Sequence, residues 1–225
     1  MKLIKRLIVI ILIVAAFWMG GTYYKANDMY HKAIEQMPID EKVMELQSMD
    51  NYVSYSQLTE TYTDAVIAVE DCRFLYHKGV DPISMVRAIV GNIKSGGLYQ
   101  GGSTITQQLA RHMYFEQDKD FARKLAEMFV AIDIEKEYDK NEILEMYVNI
   151  IYFGSGYTGI YDASMGYFNK KPAQLNDYES TMLAGIPQAP SVYSLDANPE
   201  LAEQRRQQVI TCMIENEYIE EGEIE

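Results

Sequence analysis

Gly101-Gly-Ser-Thr-Ile-Thr-Gln-Gln-Leu-Ala-Arg111 is a glycine-rich loop running into a helix start crowded with hydroxyls and amides. Ser103 or Thr104 is placed to cap that helix, which is expected to run to about His112. Such a start offers N–H and O–H donors to an anionic, oxygen-rich ligand. About thirty residues upstream lies Ala68-Val-Glu-Asp-Cys-Arg-Phe-Leu-Tyr-His-Lys-Gly79, an acidic pair closing an apolar stretch. Burial on one side raises a carboxyl's pKa and suits Glu70 to proton transfer, and Asp71 adds like charge. Read alone, the pair is first an ordinary acidic helix end.

Outward from these stretches the pattern is mostly helical. Thr63 is expected to cap a helix through Ala65–Glu70, and Asp81 with Pro82 to open one through Ile93. Gly91, Gly96, Gly97, Gly101 and Gly102 read as a flexible stretch. Asp120 heads the longest expected helix, Phe121 to about Tyr138, with Leu125, Met128, Phe129 and Ile132 as its core face. Asn141 is expected to start the next, burying Ile143, Leu144 and Tyr147. Ile151–Tyr157 reads as a turn, and two more helices are expected near Tyr178–Gly185 and Pro199–Asn216. Alternating strand patterns are scarce, so the fold class is mainly α.

Leu7 to Tyr24 is an uncharged run of 18 residues behind Lys2, Lys5 and Arg6. It is near the shortest stretch that spans a bilayer, and the basic flank predicts a cytoplasmic N-terminus with the rest outside. A cleaved signal peptide is the competing reading, but no clear small-x-small site precedes polar sequence, and Trp18, Tyr23 and Tyr24 read as interfacial anchors. The expected organisation is residues 1–24 as cytoplasmic N-terminus and anchor, 25–60 as a stem with a short helix near Met29–Gln36, and 61–225 as the functional domain.

The formal net charge of −13 argues against nucleic acid as a partner. The two cysteines, Cys72 and Cys212, form no disulfide framework and have no second Cys or His at metal-ligand spacing, so they read as buried free thiols. The loop lacks the Gly-Lys-Ser/Thr of a nucleotide P-loop, and no Gly-x-Ser-x-Gly elbow occurs. In Arg123-Lys-Leu-Ala-Glu127, both cations share a helix face with Glu127. That is either an exposed ion pair or a second carboxylate held by phosphate-binding cations. His77 reads first as a structural hydrogen-bonding residue.

Taken in order, Glu70-Asp-x-x-Phe74-x-x-His77-x-Gly79, Gly101-Gly-Ser-Thr-Ile-Thr-Gln-Gln-Leu109, Arg123-Lys-x-x-Glu127 and Lys140-x-x-Ile143-Leu-Glu-x-Tyr147-Val-Asn149 resemble the motifs of the family 51 peptidoglycan glycosyltransferases. The resemblance runs from about Thr61 to Glu221, with Tyr167-Phe168, Leu183–Pro190 and Arg205-Arg206 as later landmarks. It implies a lysozyme-like helical domain with a small hydrophobic lobe dipping into the bilayer. It implies polymerisation of lipid II into β-1,4 glycan, with Glu70 as general base and Glu127 as second catalytic carboxylate. Ser103, Thr104, Gln108, Arg111, Lys119, Arg123 and Lys124 would bind donor diphosphate or sugars, and Asp71, Phe74, His77 and Gln107 complete the implied substrate-binding set. Implied partners are lipid II, the growing glycan, membrane lipid and other cell-wall synthesis proteins. A divalent cation, Mg or Mn, is implied by resemblance alone, without independent ligand spacing. Arg111-His112 stands where Lys-Asn is usual, Lys119 where Arg is common, and Asp162-Ala-Ser-Met-Gly166 is less typical. Because the sequence ends at Glu225, the expectation is a monofunctional enzyme or an isolated domain of a larger one. The rivals are a membrane-anchored lytic glycosidase working with two carboxylates and a non-catalytic scaffold.

Overall fold

The computed structural model describes residues 2–95, 101–115 and 120–224. Lys119, Gly96 and Gly97 therefore lie outside the described residues. Helices α1 (Lys2–Gln36), α2 (Ile39–Gln47), α3 (Glu60–Glu70), α4 (Pro82–Ser95), α5 (Ile105–Ala110) and α6 (Phe121–Glu137) make the first half. They are followed by α7 (Lys140–Ile150), α8 (Ile160–Phe168), α9 (Asp177–Gly185), the single turn α10 (Pro190–Tyr193) and α11 (Pro199–Glu215). Among the described residues there are no strands, only two isolated bridges, Lys78 with Val80 and Tyr152 with Thr158. The mainly helical fold class holds.

Several caps sit where hydroxyl and carboxylate chemistry predicts. Thr104 accepts the Gln107 N–H at 3.1 Å while Gln107 accepts the Thr104 N–H at 3.0 Å, a reciprocal capping box. Asp81 accepts from Ile83 N–H and Asp120 from Ala122 N–H, each at 3.0 Å. Other expectations need correction. Helix α3 begins four residues before Thr63's expected start, capped by Thr59, while Thr63 turns inward and donates to the Glu60 carbonyl at 2.8 Å. Helix α7 is capped by Asp139, two residues before Asn141. Gly91 lies inside α4. Helix α8 was not expected, nor was α2.

The core face of α6 is also different. Ala122, Ala126, Val130, Ala131 and Ile134 are fully or almost fully buried, whereas Ile132 is 38% exposed. Small residues let α5 approach closely. The larger side chains turn toward α1, where Phe129 meets Tyr23 and Tyr30 edge-on at 5.9 Å.

Helix α1 crosses the expected anchor–stem boundary without a break. Ile4–Gln36 is long and apolar enough to cross a membrane. Its second half is docked: Ala26 is fully buried, Trp18 lies 5.6 Å from Phe121, Lys25 pairs with Asp120, and Tyr30 donates to Asp133 at 2.6 Å. The strand-like segment after α2 is pinned to α7. Asn149 exchanges two hydrogen bonds of 2.8 Å with the Val53 backbone, and Glu145 accepts from the Tyr55 N–H at 2.6 Å. Helices α3, α9 and α11 pack together, and α5 lies against α6 and α7. This leaves the C-terminal end of α3 facing the N-terminal half of α5.

Candidate active site

Glu70 is the last residue of α3. It borders a cavity of about 390 Å³ that Cys72, Arg87, Gln188, Arg205 and Gln208 also line. Burial raises its carboxyl above the ordinary range, while the Gln108 hydrogen bond and the Arg205 and Arg111 charges pull it down and Asp71 pushes it up. The negative end of the α3 dipole acts in the same direction as burial. Gln108 Nε2 donates to the Glu70 carboxylate at 2.8 Å, and the Tyr147 hydroxyl donates to Gln108 Oε1 at 3.3 Å. A three-residue chain from α7 through α5 therefore aims the carboxylate.

Asp71 points the other way. Its buried carboxylate accepts the Ile105 N–H at 3.0 Å and lies 2.8 Å from His77 Nε2. Ile105 is the first residue of α5, so Asp71 satisfies one of the donors that every helix start leaves open. His77 turns Nδ1 toward Glu135 at 3.8 Å, and Lys140 donates both to the His77 carbonyl at 2.9 Å and to Glu135 at 2.6 Å. Lys140 also sits 4.4 Å over the ring of buried Phe74. Thr104 donates to the Gly79 carbonyl at 2.7 Å, and Gln107 spends its oxygen on the capping box. Asp71, Phe74, His77, Thr104 and Gln107 thus face the interior, where they lock the loop after α3 onto α5. These five side chains, expected from the resemblance to contact substrate, are placed in the interior of the described structure.

At the opposite end of the loop, Glu127 is enclosed, with its side chain only 1% exposed. Arg123 reaches one oxygen at 2.5 Å and Lys124 the other at 2.9 Å. Lys124 also donates to Ser103 at 2.6 Å. The ion pair is thus partly buried, not an exposed surface pair. Ser103, Lys124, Arg123 and Glu127 form one group, Glu70, Gln108 and Arg111 another, and α5 runs between them. Lys119 lies outside the described residues. Among those described, no three His, Cys, Asp or Glu side chains converge as a metal site.

Two contributors are not in the expected site set. Tyr147 was expected only as a core residue. Arg205 was seen only as a landmark, yet it is buried, donates to the Gly185 carbonyl at 3.3 Å, and sends its charge to Glu70.

Residues 36–214 match the family model described as Transglycosylase. The chain belongs to the family 51 transglycosylases. A Cupriavidus necator protein whose name assigns it provisionally to the transglycosylases is 43% identical over 85% of this chain and 82% of its own length. Penicillin-binding protein 1F of Bacillus subtilis is 44% identical over 74% of this chain. Penicillin-binding protein 1A of Aquifex aeolicus is 42% identical over 75%. The chain spans 23% of the length of each of these two penicillin-binding proteins. The transglycosylase match covers α2 through all but the last residue of α11, and so takes in both residue groups of the site.

Proposed function

We propose that this transglycosylase polymerises lipid II into β-1,4-linked glycan and releases undecaprenyl diphosphate. The observation that carries the reading is Glu70, a carboxylate with a raised pKa at the edge of a cation-lined cavity and aimed by Gln108. A carboxylate that holds its proton more tightly than usual is the stronger base. In this reading Glu70 removes the proton from the acceptor sugar hydroxyl. The hydroxyl oxygen attacks the anomeric carbon of the donor, the bond to the diphosphate oxygen breaks, and the configuration inverts. Negative charge grows on the departing diphosphate, where Lys124, Arg123 and Arg111 are the cations at hand. Glu127 holds Arg123 and Lys124 in register before substrate arrives.

The apolar α1 supports membrane anchoring, and Lys2, Lys5 and Arg6 favour a cytoplasmic N-terminus with the domain outside. Partners in this reading are lipid II, the growing glycan, membrane lipid and other cell-wall synthesis proteins. The test is incubation with labelled lipid II, followed by sizing of the products before and after lysozyme digestion. Long products that lysozyme shortens are expected. Cleavage of preformed glycan without consumption of lipid II would favour the lytic glycosidase, and inertness toward both the scaffold.

A further inference from the structure

Cys72 and Cys212 are remote in sequence but line the same cavity as Glu70. Cys72 follows the end of α3, Cys212 belongs to the last turns of α11, and these two helices pack together. Both thiols are half-buried and free. Arg87 of α4 reaches Cys72 Sγ with both terminal nitrogens, each at 3.4 Å. The Cys212 thiol is pushed up chiefly by burial, and it feels Arg205, Glu215, Cys72 and Arg87, so all of these share one small electrostatic neighbourhood. Neither sulfur has a part in holding Glu70 or capping a helix, and Cys212 packs only against the edge of the core.

We propose that Cys72 and Cys212 are a redox-sensitive dithiol that closes to a disulfide in the wall of the Glu70 cavity and switches polymerisation off. The co-reactant is a small-molecule disulfide of the glutathione class. The Cys72 thiolate, beside the Arg87 guanidinium, attacks one sulfur of that disulfide and releases one small thiol. The Cys212 thiolate then attacks the Cys72 sulfur of the mixed disulfide and releases the second. Two protein thiols are oxidised, one small disulfide is reduced to two thiols, and the two protons pass to the departing thiolates. The new bond ties α11 to the end of α3 and fixes the cavity wall beside the base. The outer membrane face, where the proposed function sets the domain, is where such exchange persists.

The test treats the full chain in detergent with glutathione disulfide, maps peptides without reduction, and follows lipid II consumption. The expected result is a linked Cys72–Cys212 peptide, loss of most of the rate, and recovery with dithiothreitol. Cys212→Ser should stop at the mixed disulfide on Cys72 and form no internal link. Mixed disulfides alone, links between chains alone, or an internal link with an unchanged rate would each overturn the switch. The rate arm rests on the proposed activity and the mapping arm does not. A fully reduced protein that never consumes lipid II counts against the activity, whereas a missing linked peptide counts against the dithiol.

Discussion

Glu70 is kept at a cost to the fold. Its carboxyl titrates above the ordinary 4.5, first because burial penalises the charged form. A folded pKa above the unfolded one gives stability that is fully present below the unfolded value and lost as pH rises through the folded value. At neutral pH the native state therefore carries an unfavourable charge. Glu70→Gln is expected to match or exceed the parent's melting temperature at pH 7 while lipid II consumption stops. A lower melting temperature, or a retained rate, would contradict that. Gln108 holds the charged form by donating to it, so Gln108→Leu should raise the carboxyl further. The acid limb of the kcat/KM profile should then move to higher pH, and an unmoved limb would show that the contact does not act on the base. The helix end at Glu70 and the capped helix start that carries Gln108 were legible in the sequence, because an acidic residue closes an apolar run and a hydroxyl opens the next helix. That Asp71, His77, Thr104 and Gln107 turn inward was not legible, for an equally physical reason. Motif spacing does not distinguish a polar side chain turned to a ligand from one turned to the open N–H groups of a helix.

Between elements, the critical contact is the passage of the loop after α3 beneath α6. Gly79 has φ +85, and a Cβ there would lie 2.6 Å from the Ala131 carbonyl oxygen. Backbone meets backbone, so no side chain can yield. Gly79→Ala should therefore cost on the order of 1–3 kcal/mol in urea unfolding. Because the Gly79 carbonyl also takes the Thr104 hydroxyl, it should lower the polymerising rate more than a remote destabilising change of equal size. Equal effects would show that the loop does not position α5. Helix existence was largely readable, since Asp81, Thr104 and Asp120 announce their helices by side-chain chemistry. The inner face of α6 was not. Periodicity finds the large apolar stripe, but the stripe serves α1, and alanines serve the core. Helix α8 escaped because its start, Gly159, offers no capping side chain and a glycine-rich turn precedes it.

At the scale of the whole molecule, two groups of apolar side chains stand out as exposed among the described residues. One is the first half of α1. The other is Leu75, Tyr76, Ile83, Val86 and Val90, all at least 45% exposed, with Tyr76 at 79%. These residues match the lobe that the family resemblance led us to expect at the bilayer. Trp18 is the one tryptophan of the chain, which makes a direct probe available. In vesicles containing brominated lipid, the double variant Trp18→Phe with Tyr76→Trp should show quenched emission, and unquenched emission would place that surface in water. The unbroken helix from anchor to domain has a consequence of another kind. Its 35 residues extend for roughly 50 Å, and the seam of Trp18, Tyr23, Ala26 and Tyr30 against α6 works as a keyed joint. Such a joint fixes azimuth as well as height. One alanine inserted between Gly20 and Gly21 turns everything before it by about 100°, whereas four come back to within about 40° of the original phase. In bilayers the single insertion should slow polymerisation more than the fourfold one, and in detergent the two should converge. The compass bearing from which the cleft receives its next lipid would then be written in the helical register of the anchor.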